Sequence, residues 1–133
     1  MKQLKYFLLL WLLPLWLLSN HVHWMGDYDN ALQLAHKEEK PLVVLVVKKD
    51  SKICNKILHQ QFMNQPYIGA INDKMIAVMV TYEGKLSYPI EMYYTTVFPT
   101  LFFVDTKSET FMKEPLYGEG IEMGALKKII LTM

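Results

Sequence analysis

Arginine is absent from this chain: all fourteen basic residues are lysines, and the net charge is +1. Without a guanidinium fork there is no bidentate reader of phosphate or of base edges, so nucleic acid is not an expected partner. Cysteine occurs once, at Cys54, which rules out an internal disulfide. Low-complexity runs and internal repeats are missing, and polar and apolar residues mix in the proportions of a folded globule. No Ser-His-Asp order, phosphate-cradling glycine loop or paired-carboxylate pattern occurs, and Gly118, Gly120 and Gly124 read as turn and cap residues. No cofactor and no metal are expected. With 133 residues there is room for one domain and a short extra segment.

That extra segment is N-terminal. Lys2 and Lys5 precede an apolar run from Tyr6 to Leu18, the layout of a secretory signal. Thirteen residues fall short of the roughly 20 that cross a bilayer, and Pro14 weakens a spanning helix. Export followed by cleavage between Ser19 and Trp24 is therefore favoured. Leu17 spoils the small-residue cleavage pattern, however, so a short uncleaved anchor formed by residues 6–18 stays open. Residues 1–20 are thus read as signal or anchor, and 24–133 as the folded domain. Export would place that domain in an oxidising compartment, with Cys54 free, capped or bonded to another molecule.

Within the domain, helix-like and strand-like segments alternate. Tyr28, Ala31, Leu32 and Ala35 recur at helical spacing behind the capping candidates Asp27 and Asp29, and Pro41 stops that helix. Leu42 to Val47, "LVVLVV", has no polar alternation and suits a central strand covered on both faces. Ser51 is a good N-cap for a helix whose apolar stripe is Cys54, Ile57, Leu58, Gln61 and Phe62. "MIAVMV", from Met75 to Val80, reads as a parallel strand reached across that helix. "SYPIEMYYTTV" suggests another helix. Thr100–Asp105 and Thr110–Gly118 flank the polar turn "TKSE" as an antiparallel hairpin, and Leu126, Ile129, Ile130 and Met133 stripe a closing helix. The expected order is α-β-α-β-α-β-β-α, a small α/β sandwich with a mixed sheet.

From about Trp24 onward these segments resemble the thioredoxin fold. They are similar in particular to exported bacterial thioredoxin-like domains related to the periplasmic C-terminal domain of the transmembrane thiol-disulfide interchange protein. "DYDNALQLAHKEEKPLVVLVV" looks like that family's lead-in helix, Lys-Pro pair and first central strand, and "FPTLFFVD" like its cis-proline loop and third strand. In the family the first cysteine of Cys-x-x-Cys falls ten residues after that first proline, which here is Ser51. The resemblance therefore implies a Ser-x-x-Cys motif in which Cys54 matches the second cysteine and the attacking nucleophile is missing. A serine hydroxyl cannot replace it in thiol-disulfide exchange. Leu45 stands where many thioredoxins carry a buried acid. Pro99 matches the cis-proline, beside which an extended peptide can pair with the backbone of Phe98.

Two readings of Cys54 remain. It is either a small buried hydrophobe or a monothiol reachable beside Ser51, with Lys48, Lys49 and Lys52 favouring a thiolate and Asp50 opposing it. Tyr88, Tyr93 and Tyr94 are candidates for an aromatic rim around a peptide, or for packing with a polar tip. His21 and His23 read as a flexible tail and His36 and His59 as surface residues, none with a third metal ligand at suitable spacing. The expected function is an exported, periplasmic thioredoxin-like protein that binds an exported protein or peptide without dithiol turnover. The alternative is a monothiol exchange enzyme that forms a mixed disulfide through Cys54. A membrane enters only if residues 6–18 are retained.

Overall fold

The computed structural model describes residues 20–133; the apolar run and the expected signal or anchor lie outside the described residues. Asp27 caps α1, Tyr28–Glu38, by accepting a hydrogen bond from the Asn30 amide at 3.3 Å, and α1 buries Tyr28, Ala31 and Ala35. After Pro41 comes β1, Leu42–Lys48, with Leu42 to Val47 buried. Two helices follow, α2 at Lys52–Gln61 and α3 at Ile68–Lys74. The chain then forms β2, Ile76–Tyr82, and β3, Thr100–Asp105. The last elements are β4, Thr110–Phe111; β5, Leu116–Tyr117; a 3-10 turn, Gly118–Gly120; and α4, Met123–Leu131.

The sheet runs β2-β1-β3-β4, with β5 also on β3. β1 pairs parallel with β2 and antiparallel with β3. The unbroken apolar run of β1 is thereby explained: Val43, Leu45 and Val47 enter one core with Ile57, Phe62, Ile71, Phe103 and Leu126, while Leu42, Val44 and Val46 enter the other with Tyr28, Ala31 and Tyr93. The layered α/β architecture matches expectation.

Three local expectations are corrected. The stretch 87–97 is not a helix but turns and bends around a single Tyr93 N–H to Pro89 carbonyl bond of 3.2 Å. Its aromatic and β-branched residues lose rotamer freedom in a helix, and the Thr95 hydroxyl bonds the Val97 backbone instead. Conversely, α3 was not expected, because Gly69 and Asn72 weaken its propensity; burial of Ile68 and Ile71 holds it in place. The hairpin forms, but its second strand is split: residues 112–115 oppose only Phe102 and Phe103 on β3. Pro115 has no N–H for a continuous ladder, and the surplus residues bulge.

The His21-Val22-His23 segment is not a loose tail. Val22 is 1% exposed, its N–H bonds the Phe62 carbonyl at 3.2 Å, and Asn72 both accepts from the His23 N–H (2.9 Å) and donates to the His21 carbonyl (3.0 Å). Packing thus reaches ahead of Trp24 and includes Asn20, whose carbonyl takes the Asn64 N–H at 2.9 Å.

Two buried phenols make an alkaline prediction. Burial, with a smaller push from Glu122, lifts Tyr67 from 10.0 to about 12. Burial and then the 2.7 Å hydrogen bond with Tyr28 raise Tyr93 well beyond the ordinary tyrosine range. The unfolded chain releases these protons near pH 10 while the folded chain keeps them, so stability is full below about pH 10 and falls as pH rises above it. Urea midpoints should hold to about pH 10 and drop steadily from there to about pH 11.5, and Tyr93→Phe should flatten part of that slope.

Candidate functional site

The carboxyl ends of β1 and β2 and the start of β3 lie at one end of the sheet, since Lys48 pairs with Tyr82 and Val46 with Thr100. After β1, Asp50 turns the chain at φ 59, and Ser51 takes the extended N-cap conformation of α2 at φ −87, ψ 120. Its hydroxyl accepts the Cys54 N–H at 3.2 Å, satisfying one of the orphan donors at the helix start. Ser51 is therefore partly exposed and engaged as a cap. Cys54, one turn in, is 1% exposed and shares its core with Val43, Leu45, Ile57 and Phe103.

The second loop ends in Phe98 and Pro99, joined by a cis peptide bond. Its shape is held by a ring of hydroxyls. Thr95 Oγ1 accepts the Val97 N–H (3.1 Å) and lies 2.9 Å from Thr100 Oγ1, which donates to the Val97 carbonyl at 2.6 Å. The ring is satisfied when Thr95 donates to Thr100, and both residues are buried. The Pro99 carbonyl takes the Gly118 N–H at 2.7 Å. Gly118 has φ +51 and an added Cβ would lie 3.3 Å from Val97, so glycine suits this corner on both counts. Phe98 is left half-buried with its ring 5.1 Å from Tyr82 and the Lys48 ammonium 5.8 Å from its centroid. No hydrogen bond to the Phe98 backbone N–H or carbonyl exists among the described residues.

No protein-family model and no curated protein matches the chain. Solved structures do. A protein described as a DsbH oxidoreductase is 20% identical, covers 87% of this chain and 88% of its own, and superposes with a TM-score of 0.62. The solution structure of a thioredoxin from Thermus thermophilus is 16% identical over 84% of this chain and 86% of that one, with a TM-score of 0.66. The oxidised C-terminal domain of DsbD from Neisseria meningitidis is 21% identical over 71% and 86%, with a TM-score of 0.54. The chain has the thioredoxin fold. At these identities the likeness is one of fold.

Within this thioredoxin fold the residues singled out by sequence fall unevenly. Ser51 and Cys54 share the first turn of α2, and the Phe98-Pro99 loop sits at the same end of the sheet. The lysines do not gather around Cys54: Lys48 lies over Phe98, while Lys49 and Lys52 are exposed. The three tyrosines form no common rim. Tyr93 is buried against Tyr28, Tyr88 is half-buried, and Tyr94 is 68% exposed. The aromatic neighbour of the loop is instead Tyr82, which its place as the last residue of a parallel strand could have signalled. Thr95 and Thr100, which shape the loop, carried no distinguishing sequence signal. Among the described residues no three His, Cys, Asp or Glu side chains gather as a metal site, and His36 and His59 are exposed.

Proposed function

We propose that this thioredoxin-fold protein is exported and acts as a binding module for an exported protein or peptide, without dithiol turnover of its own. One observation carries the reading: the single cysteine is closed inside the core, and the residue beside it at the helix start is a capping serine. Thiol-disulfide exchange requires a thiolate in line with a substrate disulfide, and neither Ser51 nor a 1% exposed Cys54 offers one. Ser51 then marks the place of a lost first cysteine. The unpaired N–H and carbonyl of Phe98, beside Pro99, supply a main-chain docking point for an extended segment of the partner. Export rests on Lys2, Lys5 and the apolar run 6–18. If that run is retained, the module is held at the membrane.

The competing reading is a monothiol enzyme. There the Cys54 thiolate attacks one sulfur of a substrate disulfide, the other sulfur leaves as a thiolate, and a second thiol from the partner resolves the mixed disulfide. Turnover of insulin disulfides and of a glutathione mixed disulfide, measured for wild type and Cys54→Ala, separates the two. Both proteins should run at the uncatalysed rate. Turnover by wild type that vanishes in Cys54→Ala would establish the enzyme instead.

A further inference from the structure

β2 is an edge strand, and its outer side is only partly covered. The Ile76 N–H bonds the Pro41 carbonyl at 3.0 Å, so even-numbered residues of β2 turn their main-chain groups toward β1 and odd-numbered ones turn outward. One outward rung is filled from within the chain. Met25 donates its N–H to the Ala77 carbonyl (2.8 Å) and accepts the Met79 N–H (2.9 Å), as a parallel strand does. The chain then departs, because Asp27 caps α1. The next rung, the Met79 carbonyl and the Thr81 N–H, has no hydrogen-bond partner among the described residues.

That rung is open to an added strand. A single residue of an incoming parallel strand would give its N–H to the Met79 carbonyl and take the Thr81 N–H, repeating the Met25 arrangement two residues further on. An antiparallel strand meets the same two groups with two residues, one giving its N–H to the Met79 carbonyl and the residue two before it accepting the Thr81 N–H. The outward groups on either side of that rung, the Met79 N–H and the Thr81 carbonyl, are occupied, the second by the Gly84 N–H at 3.0 Å, so one rung is open among the described residues. Over the open rung runs a groove of about 720 Å³, between Gly26 and Tyr28 on one side and the Glu83–Ser87 loop on the other. Leu86, 61% exposed, offers an added strand an apolar contact. Lys49 and Lys85 line the groove with no ion-pair partner among the described residues, against one acid, Glu83.

We infer that the β2 edge receives an extended acidic peptide segment of a partner protein, added as a strand with an apolar side chain against Leu86. The site is separate from the Phe98 backbone and stands whether or not that loop binds peptide. The test is an amide-resolved NMR titration of the purified protein with the blocked heptapeptide Glu-Asp-Val-Leu-Val-Asp-Glu. The comparison peptides carry an N-methyl group on the central leucine or lysines in place of the four acids. Shifts should concentrate at Met25, Gly26 and Thr81 to Ser87, with a dissociation constant on the order of 0.1–1 mM. N-methylation, the lysine peptide, and the double variant Lys49→Glu with Lys85→Glu should each weaken binding about tenfold or more. Thr81→Pro removes an N–H that faces away from β1, so the fold should persist and binding should be lost. Shifts centred on Phe98 to Thr100, no shifts at 5 mM peptide, or equal binding of the N-methylated peptide would overturn the proposal. If Thr81→Pro does not fold, the lysine double variant and the peptide pair decide it.

Discussion

Replacing Ser51 with cysteine should create a working dithiol, whereas Ile57→Cys should not. Both substitutions put a thiol three residues from Cys54. Inside a helix, side chains at that spacing have Cβ atoms about 5–6 Å apart, and a disulfide needs roughly 3.5–4.5 Å. Ile57 is held in that regular geometry. Ser51 is not: its backbone is extended at φ −87, ψ 120, and its side chain already folds back to within 3.2 Å of the Cys54 amide nitrogen. A cysteine there also sits where the helix dipole and the unpaired N–H groups stabilise a thiolate. Reduced Ser51→Cys should be about 1 kcal/mol less stable than wild type, because the serine cap is lost. On mild oxidation it should lose both free thiols, and in its dithiol form, recycled by dithiothreitol, it should reduce insulin disulfides measurably faster than wild type. Ile57→Cys oxidising readily while Ser51→Cys stays reduced would mean that the register is wrong.

Leu45→Asp should be the most damaging single substitution near the site. Leu45 is fully buried, pairs with Met79 and Leu101 on the neighbouring strands, and lies in the same core as Cys54. No buried side-chain nitrogen or oxygen in the described core is unpartnered, so none waits for a carboxyl group to complete it. The cost is the lost leucine contacts plus an unpaired polar group, together roughly 4–6 kcal/mol. That is most of the stability of an ordinary domain. A buried aspartic acid resists ionisation, so the unfolded chain releases its proton near pH 4 while the folded chain keeps it. The deficit should therefore widen as pH rises from 4 to 7, as measured by urea unfolding. A deficit under 2 kcal/mol at pH 7 would show that the core around Cys54 is wet or plastic.

The elements that were legible in the sequence are those whose signal is local. Six buried residues in a row, Leu42 to Val47, admit little but a covered strand, and Asp27 and Ser51 mark helix starts by side-chain chemistry alone. α3 was hidden because its stability comes from Ile68 and Ile71 meeting other elements and not from its own composition. The stretch 87–97 misled in the opposite sense: its aromatics imitate a helical stripe, yet of its three tyrosines only Tyr93 is fully buried, and the Thr95 hydroxyl takes the Val97 N–H. At the site, the positions of Ser51, Cys54, Phe98 and Pro99 followed from spacing and resemblance. The hydroxyl ring of Thr95 and Thr100 did not, since it is a local arrangement that no residue type announces, and the Gly118 contact with Val97 did not, since it joins residues distant in sequence. Cys54 itself was ambiguous for a plain reason. A cysteine on an apolar helical stripe one turn from a helix start satisfies both a core and a redox pattern, and only packing separates them.

That packing can be measured directly. Reaction of Cys54 with an aromatic disulfide reagent, followed in increasing urea, reports how far the protein must open before the thiol is reached. A core cysteine at 1% exposure should react at least about a thousandfold more slowly in the native protein than in the unfolded chain. Its rate should then climb with urea along the slope of global unfolding. A native rate within tenfold of the unfolded one, and indifferent to urea, would contradict the account and make Cys54 a working thiol.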